Sequence, residues 1–204
     1  GEAVKKIYNV SVTLRSALHI NGGTNPDGQR VTIKSDNKAY IPATLFKGMV
    51  RENFEKNISI LAENEKYSYL NQNKCTGKTE ADKPCSCPVC TMFGKAGFQR
   101  SRIYFDNLET SQEITYSTRA NVAIDRFLSK AREGALVFSE TVDSKDKQNN
   151  PVVFNGQITV WIPEQYGNEI LVCLTDAIKT INTIGLGKSR GLGFVEVNVY
   201  EAES

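Results

Sequence analysis

The sequence predicts an α+β fold in which two helices lie across one face of an antiparallel sheet. Three observations carry that expectation. Two segments place apolar residues at helical spacing, several others alternate apolar and polar residues, and the chain order is strand, helix, strand, long excursion, strand, helix, strand.

Residues 6–20 alternate Ile7 or Tyr8, Val10, Val12 and Leu14 on one side and read as the first strand. The run from Asn21 to Gly28 is rich in Gly, Asn and Pro and reads as a loop. Residues 30–41 read as a short hairpin turning at Ser35-Asp36-Asn37. A helix is expected over 43–57, where Leu45/Met49 and Phe46/Val50/Phe54 make one apolar face and Lys47 and Arg51 share another. Residues 71–91 are polar and cysteine-rich, show neither period, and read as an insertion. Next come a strand over 100–106, two strands or a long hairpin within 112–142, and a solvated charged loop at 143–150. A strand over 151–162, a helix over about 165–182 with Ile170, Leu171, Leu174, Ala177 and Ile178, and a last strand from Phe194 to Tyr200 complete the chain. This is the order of a ferredoxin-like β-α-β-β-α-β unit, expected as one domain over 1–204 with an insertion at 71–91 and an excursion at about 107–150.

Composition is ordinary for a globular protein: 204 residues, 40% hydrophobic and 24% charged, with 15 Gly and 6 Pro. That excludes a disordered, collagen-like or coiled-coil chain. No window approaches the apolar run of about 20 residues that a membrane span needs, and Gly1 to Lys6 carry no apolar signal region, so a cytoplasmic chain is expected. Twenty-five Lys and Arg against 23 Asp and Glu leave a net charge of +2, which excludes a histone-like polycation and permits a local basic track. His19 is the single histidine, so any histidine-based nuclease or hydrolase would have to run through it. Its default reading, at a strand end, is a satisfied buried histidine.

Four of the five cysteines are clustered: Cys75, Cys85, Cys87 and Cys90. Without a secretion signal, such a group reads as metal ligands, and four thiolates suit a closed, structural Zn²⁺ site. Free or redox-active thiols and an iron–sulfur cluster are the alternatives. Cys173 lies in a helical pattern and reads as core. The stretch 185–193 is not a Walker motif; its glycines permit close backbone approach to a ligand, with Lys188 and Arg190 adding phosphate-seeking charge, and a tight structural turn explains it almost as well. Asp27, in an Asp-Gly pair after Asn-Pro, reads first as a turn residue. Arg100, Arg102, Arg119, Arg126, Lys130 and Arg132, interleaved with Tyr104, Phe105, Tyr116 and Phe127, form a pattern that holds single-stranded nucleic acid, or a solvated charged surface.

Five segments, in order, resemble the RAMP superfamily, and in particular the repeated backbone subunits of type III CRISPR ribonucleoprotein effectors. They are Leu18-His19-Ile20-Asn21-Gly22-Gly23; Ile41-Pro42-Ala43-Thr44-Leu45-Phe46-Lys47-Gly48-Met49-Val50-Arg51; Met92-Phe93-Gly94 with Ser101 to Asp106; Val122 to Arg126 with Ala131, Gly134 to Leu136 and Phe138 to Glu140; and Gly185 to Gly193. The third pairs a Phe-Gly with a downstream strand, the fourth is similar to the base and return of a thumb hairpin, and the fifth is similar to the family's terminal glycine-rich loop. Thr44 and Phe46 depart from the small and polar residues usual at the helix start.

The resemblance implies that Lys47, Arg51, Lys188 and Arg190 hold guide-RNA phosphates, with His19, Ser189, Arg119 and Arg126 completing the RNA-binding set. It implies a thumb that wedges into the guide–target duplex, and partners in the guide crRNA, a complementary target RNA and other RAMP subunits stacked head to tail in a prokaryotic cytoplasm. A zinc-binding insertion, here Cys75, Cys85, Cys87 and Cys90, also occurs in relatives. Catalytic members cut target RNA with an aspartate and Mg²⁺ or another divalent cation, and Asp27 is the match; a gap shift places Gln29 there instead and leaves a binding subunit that does not cut. A stand-alone zinc-ribbon RNA-binding protein is the alternative from outside the assembly.

Overall fold

A computed structural model of the chain describes residues 3–71, 75, 84–125 and 130–202. Among the described residues, ten strands and three α-helices follow in chain order: β1 (Val4–Leu14), β2 (Asn21–Thr24), β3 (Arg30–Thr32), β4 (Lys34–Ser35), β5 (Lys38–Ala39), α1 (Ala43–Leu61), α2 (Pro88–Phe93), β6 (Ile103–Phe105), β7 (Tyr116–Asp125), β8 (Lys130–Val142), β9 (Val153–Ile162), α3 (Asn168–Lys179) and β10 (Val195–Glu201). Short 3₁₀ turns cover Glu65–Asn71 and Lys188–Arg190.

The central sheet has the order β10-β1-β9-β6, with neighbours antiparallel. Taken in chain order its strands are the first, second, third and fourth of a β-α-β-β-α-β unit, arranged 4-1-3-2, so the α+β expectation holds in topology as well as class. Alternation sorts the two faces. Val10, Val12, Leu14, Ile158, Val160, Ile103, Phe105, Val197 and Val199 are buried on one side. Helices α1 and α3 cover that side with Phe46, Val50, Phe54 and Ile58 from one and Ile170, Leu174, Ala177 and Ile178 from the other. The helices are clasped by Asn53 and Asn57, whose side-chain amides donate to the Ala177 and Cys173 carbonyls at 3.1 and 3.0 Å.

A second sheet, β2-β3-β8-β7, is built from the loop after β1 and the long excursion. β7 and β8 form the long antiparallel hairpin, with a register irregularity between Val122 and Ile124. β4 and β5 pair across Asp36 and Asn37, both at positive φ (50° and 61°), the geometry of a two-residue hairpin turn.

Five expectations need correction. The first strand, expected over 6–20, spans Val4–Leu14, and the run from Asn21 to Gly28, expected as a loop, opens with β2. The first helix runs to Leu61, because Ile58 continues the buried stripe beyond 57. Residues 71–91 are not without regular structure, since α2 begins at Pro88 once Cys87 accepts the Cys90 N–H. The 143–150 loop is organised rather than merely solvated. Asp146 is 8% exposed. Its carboxylate accepts Gln112 Nε2 at 2.7 Å and the Gln148 and Asn150 amides at 2.9 Å each. Among the described residues no helix is long and apolar enough to cross a membrane.

Candidate functional site

The glycine-rich loop is built against the segment that follows β1. Leu186 N–H donates to the His19 carbonyl at 2.9 Å and Gly193 N–H to the Ala17 carbonyl at 2.8 Å. Two glycines permit this closeness. A Cβ on Gly185 would lie 2.3 Å from the His19 carbonyl oxygen, and one on Gly193 would lie 2.1 Å from that of Ile184; both residues have positive φ. Buried Leu192 anchors the loop, so Lys188, Ser189 and Arg190 stand exposed on a 3₁₀ turn. This turn presents two cations and a hydroxyl, the groups that bind phosphate without reading sequence.

His19 lies behind that turn and is 2% exposed, so it underlies the surface rather than standing on it. Its Nδ1 is 2.6 Å from the Glu140 carbonyl oxygen of β8. A carbonyl only accepts, so Nδ1 carries a proton. Nε2 is buried with no hydrogen-bond partner among the described residues. Glu140 itself accepts from Lys34 Nζ at 2.8 Å and from the Thr32 amide at 3.2 Å. One buried residue thus joins the segment that follows β1, the glycine-rich loop and the base of the hairpin. On that hairpin Arg119 is exposed and faces Ser139 across the strands. Arg126 lies outside the described residues.

The loop carrying Asp27 is closed by Asn25. Its side-chain oxygen accepts the Asp27 and Gln29 amides at 3.1 and 2.9 Å, and the Gly28 amide reaches its carbonyl at 3.0 Å. Asp27 sits exposed at the tip. Gln29 bridges the loop to the hairpin, accepting from Asn25 Nδ2 at 3.3 Å and donating from Nε2 to Thr118 Oγ1 of β7 at 3.0 Å. Among the described residues Asp27 belongs to no group of three metal-ligating side chains.

Lys47 and Arg51 do share a face of α1, but they do different things. Lys47 is half-buried, and burial, then the adjacent Arg51 charge, holds its ammonium below the usual lysine value. Arg51 turns to the cysteines, donating from Nη1 to the Gly94 carbonyl at 2.9 Å while Nη2 lies 3.9 Å from Cys90 Sγ. No hydrogen bond among the described residues joins this pair to the Lys188–Arg190 turn.

The Sγ atoms of Cys75, Cys85, Cys87 and Cys90 all lie within 4.8 Å of one another. Four thiolates about 2.3 Å from a tetrahedral Zn²⁺ stand about 3.8 Å apart, so the group fits such an ion. Cys75 and Cys90 Sγ are 3.5 Å apart. Cys87 and Cys90 are held by the first turn of α2, and Cys85 is braced by Gln99, which accepts its amide at 3.1 Å and donates to its carbonyl at 3.0 Å. Burial pushes the Cys87 and Cys90 thiols up, the cost that a bound cation offsets. Met92 and Phe93 tie the cluster to the core, with Phe93 5.2 Å from Phe54 between ring centroids. Four protein ligands close the coordination sphere, so a metal here supplies cross-linking and no reactive position. Cys173 is buried in α3, as its helical pattern predicts, and burial lifts its thiol to about 11.

Sequence reasoning missed three supporting groups. Gln99 and Glu140 act through partners far away in sequence, and Asn107, whose side chain accepts the Ala43 amide at 2.8 Å, caps α1 from the loop after β6.

The family model described as the RAMP superfamily matches residues 11–196. No curated protein matches the chain.

Proposed function

Because the chain belongs to the RAMP superfamily, we propose that it is a guide-RNA-binding backbone subunit of a type III-like CRISPR ribonucleoprotein effector. It acts in antiviral defence in the prokaryotic cytoplasm, with other RAMP subunits stacked head to tail along the guide. The observation that carries this reading is the exposed Lys188-Ser189-Arg190 turn, fixed by backbone hydrogen bonds to the segment after β1 that His19 also ties to the hairpin. A phosphate grip and a projecting hairpin on one rigid mount suit a subunit that tracks an RNA backbone. The hairpin is the thumb, Arg119 and Arg126 are its basic residues, Lys47 extends the basic track, and the four cysteines hold a structural Zn²⁺.

Single-stranded RNA binding, read by anisotropy, should weaken steeply with salt. Lys188→Ala and Arg190→Ala should each reduce the salt slope by about 0.7. Unchanged slopes in both would remove the turn from the account. Guide RNA should also convert the protein into a ladder of larger species in sedimentation, where a stand-alone RNA-binding protein would give one complex.

A finer part of the proposal is that Asp27 takes part in cutting target RNA. Asp27→Asn in the assembled effector should abolish one cut while leaving guide binding intact. The second reading, a subunit that binds without cutting, draws on the gap shift that puts Gln29 in the aspartate's place. A product map unchanged by Asp27→Asn would decide for it.

A further inference from the structure

On the sheet face opposite the helices, Trp161 of β9 lies level with Lys5 of β1 and Arg102 next to β6. Its partner in the β1 register is Lys5, and its N–H donates to the Arg102 carbonyl at 2.9 Å. Directly opposed residues on an antiparallel sheet share a face, so the indole is flanked on both sides by cations. Tyr104, opposite Thr159, occupies the next row of that face and is 63% exposed; Trp161 is 39% exposed.

These side chains open onto a groove of about 720 Å³. Thr44 and Lys47 from the first turns of α1 and Arg100, Arg102, Tyr104 and Trp161 line it. Its lining includes three cations and no carboxylate. None of the three forms an ion pair with a described residue. Ligand sites span about 300–1,000 Å³, so the groove has the size of a small-molecule or nucleotide site. An aromatic surface with cations around it and no acid among them suits a ring carrying phosphates, since a base stacks on the indole whatever its identity.

We infer that this groove holds a nucleobase of single-stranded RNA against Trp161, with Tyr104 beside it and the flanking phosphates at Lys47, Arg100 and Arg102. The inference rests on the RNA-binding reading above and adds a base-stacking site remote in sequence from the glycine-rich turn. Lys47 belongs to both, which makes it the link between the backbone track and the groove.

Trp161 is the single tryptophan of the chain, so its fluorescence reports this groove alone. The full-length protein is titrated with an end-labelled single-stranded oligoribonucleotide of mixed sequence, and both label anisotropy and tryptophan emission are followed. Emission should be quenched along the same isotherm as the anisotropy. Trp161→Ala should weaken binding about 5- to 150-fold, and Trp161→Phe should restore most of the loss. Arg100→Ala with Arg102→Ala changes two exposed side chains and should lower the salt slope by about 1.4. Anisotropy that rises with emission unchanged, and Trp161→Ala binding as tightly as wild type, would overturn the groove and leave the RNA-binding reading standing. No rise in anisotropy would overturn both. Quenching on raising protein concentration without RNA would assign the groove to a second copy of the chain and overturn the inference.

Discussion

Arg51 sits where two demands meet. Its place beside Lys47 on α1 suggests a phosphate contact, yet its guanidinium is spent on the Gly94 carbonyl and the Cys90 sulfur. A closed four-thiolate Zn²⁺ centre carries a net double negative charge, and donors to its sulfurs stabilise the thiolates. Arg51→Ala should therefore weaken zinc retention by about 10–100-fold in competition with a chromogenic chelator. Arg51→Lys keeps the charge and loses the fork, and should fall between the two. The same Arg51→Ala change should alter the RNA salt slope less than Lys47→Ala does. Zinc affinity equal to wild type in both Arg51 variants would return this residue to the RNA.

At the scale of elements, the 143–150 loop shows what a charge count hides. Six of its eight residues are Asp, Lys or Asn of the kind that solvent accepts, yet Asp146 points inward as the hub of a turn. The Gln112 amide first, then the Asn150 and Gln148 backbone amides, hold its carboxyl below the usual carboxylate range. A depressed folded-state value means the stabilisation is present above about pH 4 and is lost as pH falls through the lower folded value. Asp146→Asn should flatten that part of an acid-denaturation profile, with wild type and variant converging at the lowest pH. Identical profiles throughout would show the hub to be dispensable.

Legibility followed period and length. α1 and α3 announced themselves because Phe46, Val50 and Phe54, or Ile170, Leu174 and Ile178, repeat on one face. The β4–β5 turn was readable from Asp36-Asn37, residues that tolerate positive φ. α2, six residues long, is too short to show a period and owes its start to the Cys87 cap. In the site, the cysteines were legible from their spacing and the glycine-rich turn from its glycines and basic residues. The bond from the His19 ring to Glu140, the turning of Arg51 and the partners of Trp161 were not, because each depends on residues distant in sequence that only the folded chain brings together.

For the whole molecule, core and cysteine cluster form one packing unit. Phe54 of α1 meets Phe93 of α2, which in turn lies 6.4 Å from Phe105 of β6. Phe54 is fully buried, so Phe54→Ala should cost about 3–5 kcal/mol in denaturant unfolding. Chelation of the metal should loosen α2 and destabilise the wild type as well. Because the two perturbations share Phe93, they should not add, with a coupling of about 0.5–3 kcal/mol in the four-way comparison of variant and metal state. Strict additivity would mean the insertion is an appendage that the core does not feel.

The single imidazole has a mechanical meaning beyond chemistry. His19 passes one bond from its ring to the hairpin and one from its carbonyl to the glycine-rich loop, with no flexible linker between them. A load on the hairpin is therefore transmitted to the loop through a stiff, short lever. The Lys188–Arg190 turn and the base of the β7–β8 hairpin share one mount, and a displacement of either pulls on the other.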